Sequence, residues 1–243
     1  GRTRAAGVRL ADGSGQRADL VVSAADGHST LFGMLGGRFG AAAARQRFES
    51  WPTFAPIGLA SFGVTDAYPD WPTMSLIRLR HPLSIGGREV KDLSCRVHRG
   101  PAYAPAGKAV VQVYFEADYD HWSDLQQADR ARYDAAKAEV AARVLERLDA
   151  HLPGIAGEVE MTDVATPYTY WRYTRNWRGA YEGWLMSADH WNQPLPKTLP
   201  GLDDFYMAGQ WVEPGGGIPT VLSSGRQVVQ LICHHDKVPF TSS

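Results

Sequence analysis

Apolar residues first recur as two short runs, Gly7–Leu10 and Leu20–Ser23, with Asp12-Gly13, a dipeptide favoured in hairpin turns, between them. The pattern predicts two short strands joined by that turn. GSGQRA, inside the turn, satisfies a relaxed GxGxxA dinucleotide pattern. Polar Gln16-Arg17 leads straight into another apolar run rather than a helix, so the turn is the better reading. From Asp26 to Tyr119 the chain reads as a mixed region. Ser29–Leu35 predicts a short helix, followed by a loop holding Gly36, Gly37 and Gly40. Ile57–Val64, Met74–Leu79, Leu93–His98 and Ala109–Glu116 read as strands, the last being the longest β-branched run.

The period then changes. From Trp122 to Leu152, Tyr133, Val140, Val144 and Leu148 form one apolar face while charged residues cover the other, which predicts a single long helix. Leu152-Pro153-Gly154 supplies its stop signals. Glu158–Thr166 predicts another strand. Pro167–Trp191 is densely aromatic, and its alternation suits a strand followed by a loop over the core. Phe205–Ala208 predicts a short buried strand. Pro219–His235 predicts a final helix whose Val221, Leu222, Val228, Val229 and Ile232 can pack on a sheet.

Composition narrows the functional classes. The 243 residues suffice for one large domain or two small ones. A net charge of −1 with pI near 6.8 gives no electrostatic footprint for nucleic acid. Eight Trp and ten Tyr indicate a bulky core or a pocket for a flat or long apolar ligand. Cys95 and Cys233 make no disulfide framework and point weakly to a reducing compartment. No run approaches the ~18 apolar residues of a membrane span. The opening GRTRAAGVRLADG has neither an initiator Met nor a basic-then-apolar leader, and it begins inside a strand pattern. It predicts a piece of a longer protein.

Candidate chemistry concentrates near the C-terminus. Gly215–Gly217 leave the backbone bare, and Pro219 suits the first turn of a helix, where its missing N–H is not needed. The helix start therefore presents free N–H groups and a positive dipole end, a place for an anion or a group that becomes anionic. A plain tight turn explains the same residues equally well. Asp118, Asp120 and His121, and the His234-His235 pair, lack a matching ligand set, so no metal site is expected. Ser223-Ser224-Gly225 is not a GxSxG elbow.

The segment FYMAGQWVEPGGGIPTVLSSGRQVVQLIC resembles the C-terminal flavin-contacting motif of phytoene desaturase-like FAD oxidoreductases, a family that includes carotenoid isomerases. ADLVVSAADGHSTLFGMLGGRF, YAPAGKAVVQVYFEADYDHW and DVATPYTYWRYTRNWRGAYEGW look like the same family, so the resemblance runs from Ala18 to Cys233. It implies an α/β fold, with an α+β substrate domain inserted in an incomplete Rossmann-like FAD domain. The expected division is 1–26 for FAD-domain strands, 27–195 for the substrate domain and 196–243 for the last FAD-domain strand and helix. By resemblance, the stretch from Gly215 through Gly216, Gly217, Ile218 and Pro219 to Thr220 meets the redox end of the flavin. Gly209 and Gln210 sit by the ribityl chain or pyrophosphate, and Ser23, Ala24 and Ala25 line the FAD cleft.

The family's strand–GxGxxG–helix unit is not found in these residues. The resemblance therefore implies a partner, an N-terminal FAD-binding half in the same protein or a separate chain, without which FAD binds weakly or not at all. Tyr168, Tyr170, Trp171, Tyr173, Trp177, Tyr181 and Trp184 would wall a channel for a hydrophobic, carotenoid-like substrate. The expected location is cytoplasmic or peripheral to a membrane. No single catalytic residue stands out, although Glu182 or a tyrosine is able to handle a proton. Amine-oxidase-like chemistry and a non-catalytic apolar-ligand or partner-binding module are the alternatives.

Overall fold

The computed structural model describes residues 3–190, 193 and 195–241. Trp191, assigned above to the aromatic segment, lies outside the described residues. The chain forms two compact units: Ala55–Tyr173 is one, and the residues up to Phe54 join those from Thr174 onward in the other. A continuous unit is thus inserted into a discontinuous one, in a mixed α/β architecture.

The discontinuous unit opens with β1 (Thr3–Arg4), β2 (Gly7–Arg9), β3 (Gly15–Arg17) and β4 (Val21–Ser23). The hairpin partner of β2 is β3, not the apolar run that follows. Polar β3 is exposed along its whole length, whereas apolar β4 is free to enter a sheet elsewhere. Gly15–Arg17 being a strand, GSGQRA opens no helix. A π-helical turn spans Ser29–Met34, and α1 (Ala41–Ser50) follows from Gly40, which caps it at φ 63°. Helix α1 went unread in the hydrophobic pattern because only Ala44 of its residues is fully buried. Its run of alanines, the best helix formers, was the available signal.

The inserted unit holds β5 (Ile57–Thr65), β6 (Met74–Ile85), β7 (Arg88–Arg99), β8 (Lys108–Glu116), α2 (Tyr119–Ala128), α3 (Arg130–Asp149), β9 (Val159–Ala165) and α4 (Pro167–Thr174). Its antiparallel sheet has the order β6-β7-β8-β5-β9. Strands β5 and β8 alternate strictly between buried and half-buried positions along their central residues. Ala60, Phe62, Val111, Val113 and Leu93 share one core with Tyr133, Val140, Val144 and Leu148 of α3. The helical face read from the sequence is therefore the packed face.

Two local devices depart from the expected elements. The single helix predicted over 122–152 is two, because Asp129 adopts an extended backbone (φ −157°, ψ 105°) and its carboxylate accepts from the N–H groups of Ala131 and Arg132. An aspartate cap at that position satisfies donors that a continuous helix would have bonded itself. The strand predicted from Pro167 is instead α4. Thr166 and Thr169 exchange side-chain-to-backbone bonds, Thr169 N–H to Thr166 Oγ1 at 3.2 Å and Thr166 N–H to Thr169 Oγ1 at 3.1 Å. This reciprocal cap, with Pro167 in the first turn, starts a helix whatever the aromatic alternation suggests.

The chain returns to the first unit through β10 (Thr198–Leu199), β11 (Leu202–Met207) and α5 (Gly217–Asp236). Strand β11 pairs in parallel with β1 and β4 and antiparallel with β10. Leu31, Ala44, Trp184, Phe205 and Met207 share its core, with Phe48 packed against them. Residues 27–54 and the described residues from Thr174 to Leu195 consequently pack with the terminal segments, inside the boundaries expected at 26/27 and 195/196. Of the five α5 side chains expected on a sheet, Val228 is fully buried, Val221 and Ile232 are half-buried, and Leu222 and Val229 are exposed. Among the described residues no helix is long and apolar enough to cross a membrane.

Candidate functional site

Parallel pairing of β4 with β11 brings their carboxyl ends side by side, with Ser23 opposite Met207 and Ala208 N–H donating to Ser23 O at 2.9 Å. Ligands of α/β sheets bind beyond such ends. The chain turns at Gly209 (φ 100°), where an added Cβ would stand 3.8 Å from Ala24 O. Gly209 N–H donates to Ser224 Oγ on α5 at 2.9 Å, and Ser224 is fully buried. Ser224 thus ties the end of β11 to the last helix, a role its sequence neighbourhood did not reveal. The missed signal was a serine on the one fully buried stripe of α5.

Three consecutive glycines at positive φ, Gly215 (116°), Gly216 (70°) and Gly217 (78°), carry the chain into α5. Gly216 is the cap residue, with no side-chain cap bond. Pro219 has no N–H, and Thr220 is the first residue with a carbonyl four positions back in the helix. Among the described residues the donors of this end without a helical acceptor are therefore those of Gly216, Gly217 and Ile218, and Ile218 is 73% exposed. The Thr220 hydroxyl lies 2.7 Å from Gly216 O and 2.9 Å from Gly217 O, so it braces the loop from inside. Lys197 Nζ donates to Val212 O at 3.1 Å and pairs with Glu213 at 2.6 Å, fixing the approach to the glycines. Glu182 and Phe54 crowd Gly216: a Cβ there would meet Glu182 Oε2 at 2.7 Å and Phe54 at 3.0 Å.

Gln210 is held by Asn176, whose Oδ1 accepts from Gln210 Nε2 at 3.3 Å and from Trp211 Nε1 at 3.2 Å. That leaves the Gln210 amide oxygen to accept from a ligand hydroxyl. Asn176 and Trp177 are anchored in turn by buried Asp26, which accepts from Ser29 N–H at 2.6 Å and Trp177 N–H at 2.9 Å. Burial raises the Asp26 carboxyl above its usual range, against the opposing pull of those N–H donors. His28 stacks on Trp177 with ring centroids 3.8 Å apart, and burial lowers its pKa.

Ser23, Ala24 and Ala25 line an open cleft of ≈650 Å³ together with Thr30, Arg38 and Phe205. A smaller, mostly apolar cavity of ≈140 Å³ is lined by Trp184, Trp211, Val212, Phe48 and Arg47. The aromatic residues expected to form one channel wall are divided between the two units. Tyr168, Tyr170, Trp171 and Tyr173 lie on α4 in the inserted unit, whereas Trp177, Tyr181 and Trp184 belong to the other. Tyr168 and Tyr173 line a ≈200 Å³ pocket with Arg130, Lys137, Arg172 and Asp163, a polar setting rather than an apolar one. Burial pushes the Tyr170 phenol up to about 12.

The residues present suit the redox end of a flavin: bare backbone, unbonded N–H groups and a helix dipole converge where negative charge would need support. Ser23–Ala25, Gly209–Gln210 and Gly215–Gly217 all lie in the discontinuous unit.

A family profile described as "Flavin containing amine oxidoreductase" matches residues 2–233. The chain is 28% identical over 245 residues to the phytoene desaturase (neurosporene-forming) of Cereibacter sphaeroides, covering 93% of this chain and 46% of that protein. It is 27% identical over 133 residues to the chloroplastic prolycopene isomerase of Arabidopsis thaliana, covering 54% of this chain and 21% of the plant protein. A solved oxidoreductase from Methanosarcina mazei superposes with a TM-score of 0.52 at 18% identity, covering 93% of this chain and 46% of that one. The chain spans about half the length of the desaturases it matches. With nearly every residue inside the matched region, the chain belongs to the flavin-containing amine oxidoreductase family and is of the phytoene desaturase-like type.

Proposed function

We propose that this chain supplies the redox-end half of an FAD-dependent oxidoreductase that desaturates or isomerises a long hydrophobic, carotenoid-like substrate. The observation that carries the reading is the uncapped glycine start of α5, set in the same unit as the carboxyl ends of β4 and β11. Bound FAD would supply the two-electron redox chemistry. The N–H groups of Gly216, Gly217 and Ile218 would support negative charge on the ring, the Gln210 amide oxygen would accept from a ribityl hydroxyl, and Ser23–Ala25 would line the cofactor cleft. The names of the relatives, phytoene desaturase and prolycopene isomerase, support the substrate class.

On this reading the pyrophosphate is held by a strand–GxGxxG–helix half contributed from outside these residues. The exposed apolar side chains of α5, Ile218, Leu222 and Val229, and exposed Val22 on β4 support a further layer packing there. A carotenoid-like substrate brings the protein to a membrane surface. The test is reconstitution. The 243-residue chain is mixed with the dinucleotide-binding half and the retained flavin is measured by absorbance. Flavin in the mixture and none in the isolated chain is expected. Stoichiometric flavin in the chain alone overturns the need for a second half, and no flavin in the mixture overturns the cofactor reading. Reduction of the reconstituted flavin by amines rather than by polyenes would move the substrate to the amine class.

A further inference from the structure

In the unit that carries the glycine start of α5, one residue sets the direction of a chain of hydrogen bonds. Trp211 is 5% exposed, and its indole nitrogen can only donate. Its partner at 3.2 Å, the Asn176 side chain, must therefore turn its oxygen rather than its amide nitrogen towards Trp211. That same oxygen is the atom Gln210 meets, at 3.3 Å. Two amide oxygens facing each other would repel, so Gln210 presents its nitrogen. The orientation of both amides thus follows from a donor that has no other role to play.

Asn176 is anchored firmly enough to enforce this. Its N–H donates to Thr174 Oγ1 at 3.2 Å, and its carbonyl accepts from Gly179 N–H at 2.9 Å. The next residue, Trp177, donates its N–H to buried Asp26 at 2.9 Å. Gln210 is confined further by Gly183, at φ 74°, where an added Cβ would stand 3.0 Å from Gln210 Cγ and 2.9 Å from its carbonyl oxygen. Burial alone does not require the bond between Gln210 and Asn176. Asn176 already satisfies the buried indole, and half-buried Gln210 keeps access to water. What the bond adds is direction. The Gln210 side-chain oxygen, which meets no donor among the described residues, is left as the acceptor of the site.

We propose that Asn176 is a positioning residue for the cofactor, acting through Gln210 to make the site select a polyhydroxyl chain. This rests on the flavin reading above and adds the reason that the ribityl chain, rather than the pyrophosphate, meets Gln210. A fixed amide oxygen accepts from a hydroxyl and repels phosphate oxygens, which carry no proton to donate. An amide free to rotate would serve either group, because it exposes its NH₂ as readily as its oxygen. Selectivity therefore resides in the lock that Trp211 and Asn176 supply.

The experiment uses the chain reconstituted with the dinucleotide-binding half and compares riboflavin with lumiflavin, which carries a methyl group in place of the ribityl chain. Each is titrated by the quenching of flavin fluorescence. The parent should prefer riboflavin, and Asn176→Leu, which fills the space without accepting, should lower that preference about fivefold, the worth of one neutral hydrogen bond. Asn176→Asp still accepts from both donors and should retain the preference. A merely structural loss would weaken both flavins alike and leave their ratio unchanged. No preference in the parent, an unchanged ratio in Asn176→Leu, or a lost preference in Asn176→Asp would each overturn the proposal. Thermal melts establish that the variants fold. If Asn176→Leu does not, Gln210→Met decides, because it removes the acceptor and keeps the Asn176–Trp211 bond; an unchanged ratio there refutes the lock. Binding of neither flavin by the parent would sink the cofactor reading itself, whereas bound flavin with an insensitive ratio sinks the lock alone.

Discussion

Ser224→Ala tests whether the end of β11 is tied to α5 through one hydroxyl. Ser224 is 0% exposed and accepts from Gly209 N–H at 2.9 Å. Alanine removes the acceptor and leaves the donor without a partner inside the protein. A lost neutral hydrogen bond costs about 0.5–1.5 kcal/mol, and an unsatisfied buried partner about 1–3 kcal/mol. Gly209 is half-buried and keeps partial access to water, so about 1.5 kcal/mol is the working figure. At about 2–4 °C per kcal/mol for a chain of this size, the melting temperature of this unit should fall by about 3–6 °C. Ser223→Ala is the matched control, because Ser223 is exposed and only accepts from Gln227 Nε2 at 3.2 Å. It should stay within about 0.5 kcal/mol of the parent. Tryptophan fluorescence during urea unfolding reads the transition, since Trp184 and Trp211 lie in the core of the same unit. Hydrogen exchange at Gly209 gives the local readout and should accelerate. If the two alanine variants have equal stability and Gly209 exchange is unchanged, the tether does not exist.

Three other outcomes follow from the geometry. Gly216→Ala should destabilise by about 1–2 kcal/mol, from positive φ combined with the crowding of Glu182 and Phe54, as measured by urea unfolding. Gly13→Ala, at φ 87° with nothing within 4 Å, should cost about 1 kcal/mol from strain alone; equality of the two would refute the crowding. Asp129→Ala should cost about 1 kcal/mol by uncapping α3, and a helical loss in circular dichroism confined to a single turn would agree. The Tyr170 phenol, held up to about 12 by burial, stays neutral when folded while the unfolded chain ionises near about 10. Its contribution is therefore complete below the unfolded value and is lost as pH rises through the folded one. Tyr170→Phe should flatten the alkaline fall of stability in that window, and a parallel curve for the variant would count against it.

The hydrophobic pattern located each of the five strands of the inserted unit, most fully β5 and β8, which have one buried face that two-residue alternation records directly. It also identified the packed face of α3, where Val140, Val144 and Leu148 recur at helical spacing. What it missed was decided by polar atoms. Asp129 interrupts a helix that the apolar face alone would continue, and the Thr166–Thr169 cap makes a helix of a segment whose aromatic alternation resembles a strand. The glycine start of α5 was legible because three glycines before a helix-compatible proline permit few backbones. The supporting roles of Ser224, Asn176 and Asp26 were not, since each depends on a contact between segments far apart in the chain.

The inserted unit being one uninterrupted stretch has a consequence for the order of folding. Its hairpins pair neighbours in sequence, β6 with β7 and β7 with β8, so these contacts can form early and at little loop-closure cost, before β5 closes on β8 and β9. The other unit must join two halves of the chain across that whole stretch. The two halves meet where β11 pairs with β1 and β4, and again in a short ladder in which Phe54 N–H donates to Gly183 O at 3.0 Å and Leu185 N–H to Pro52 O at 2.9 Å. Closing so long a loop is entropically slow unless the intervening chain has already condensed. Nucleation in Ala55–Tyr173 should therefore precede assembly of the glycine site, and a polypeptide limited to that stretch should refold on its own. Kinetic traps would then arise from premature collapse of the terminal segments rather than from the sheet.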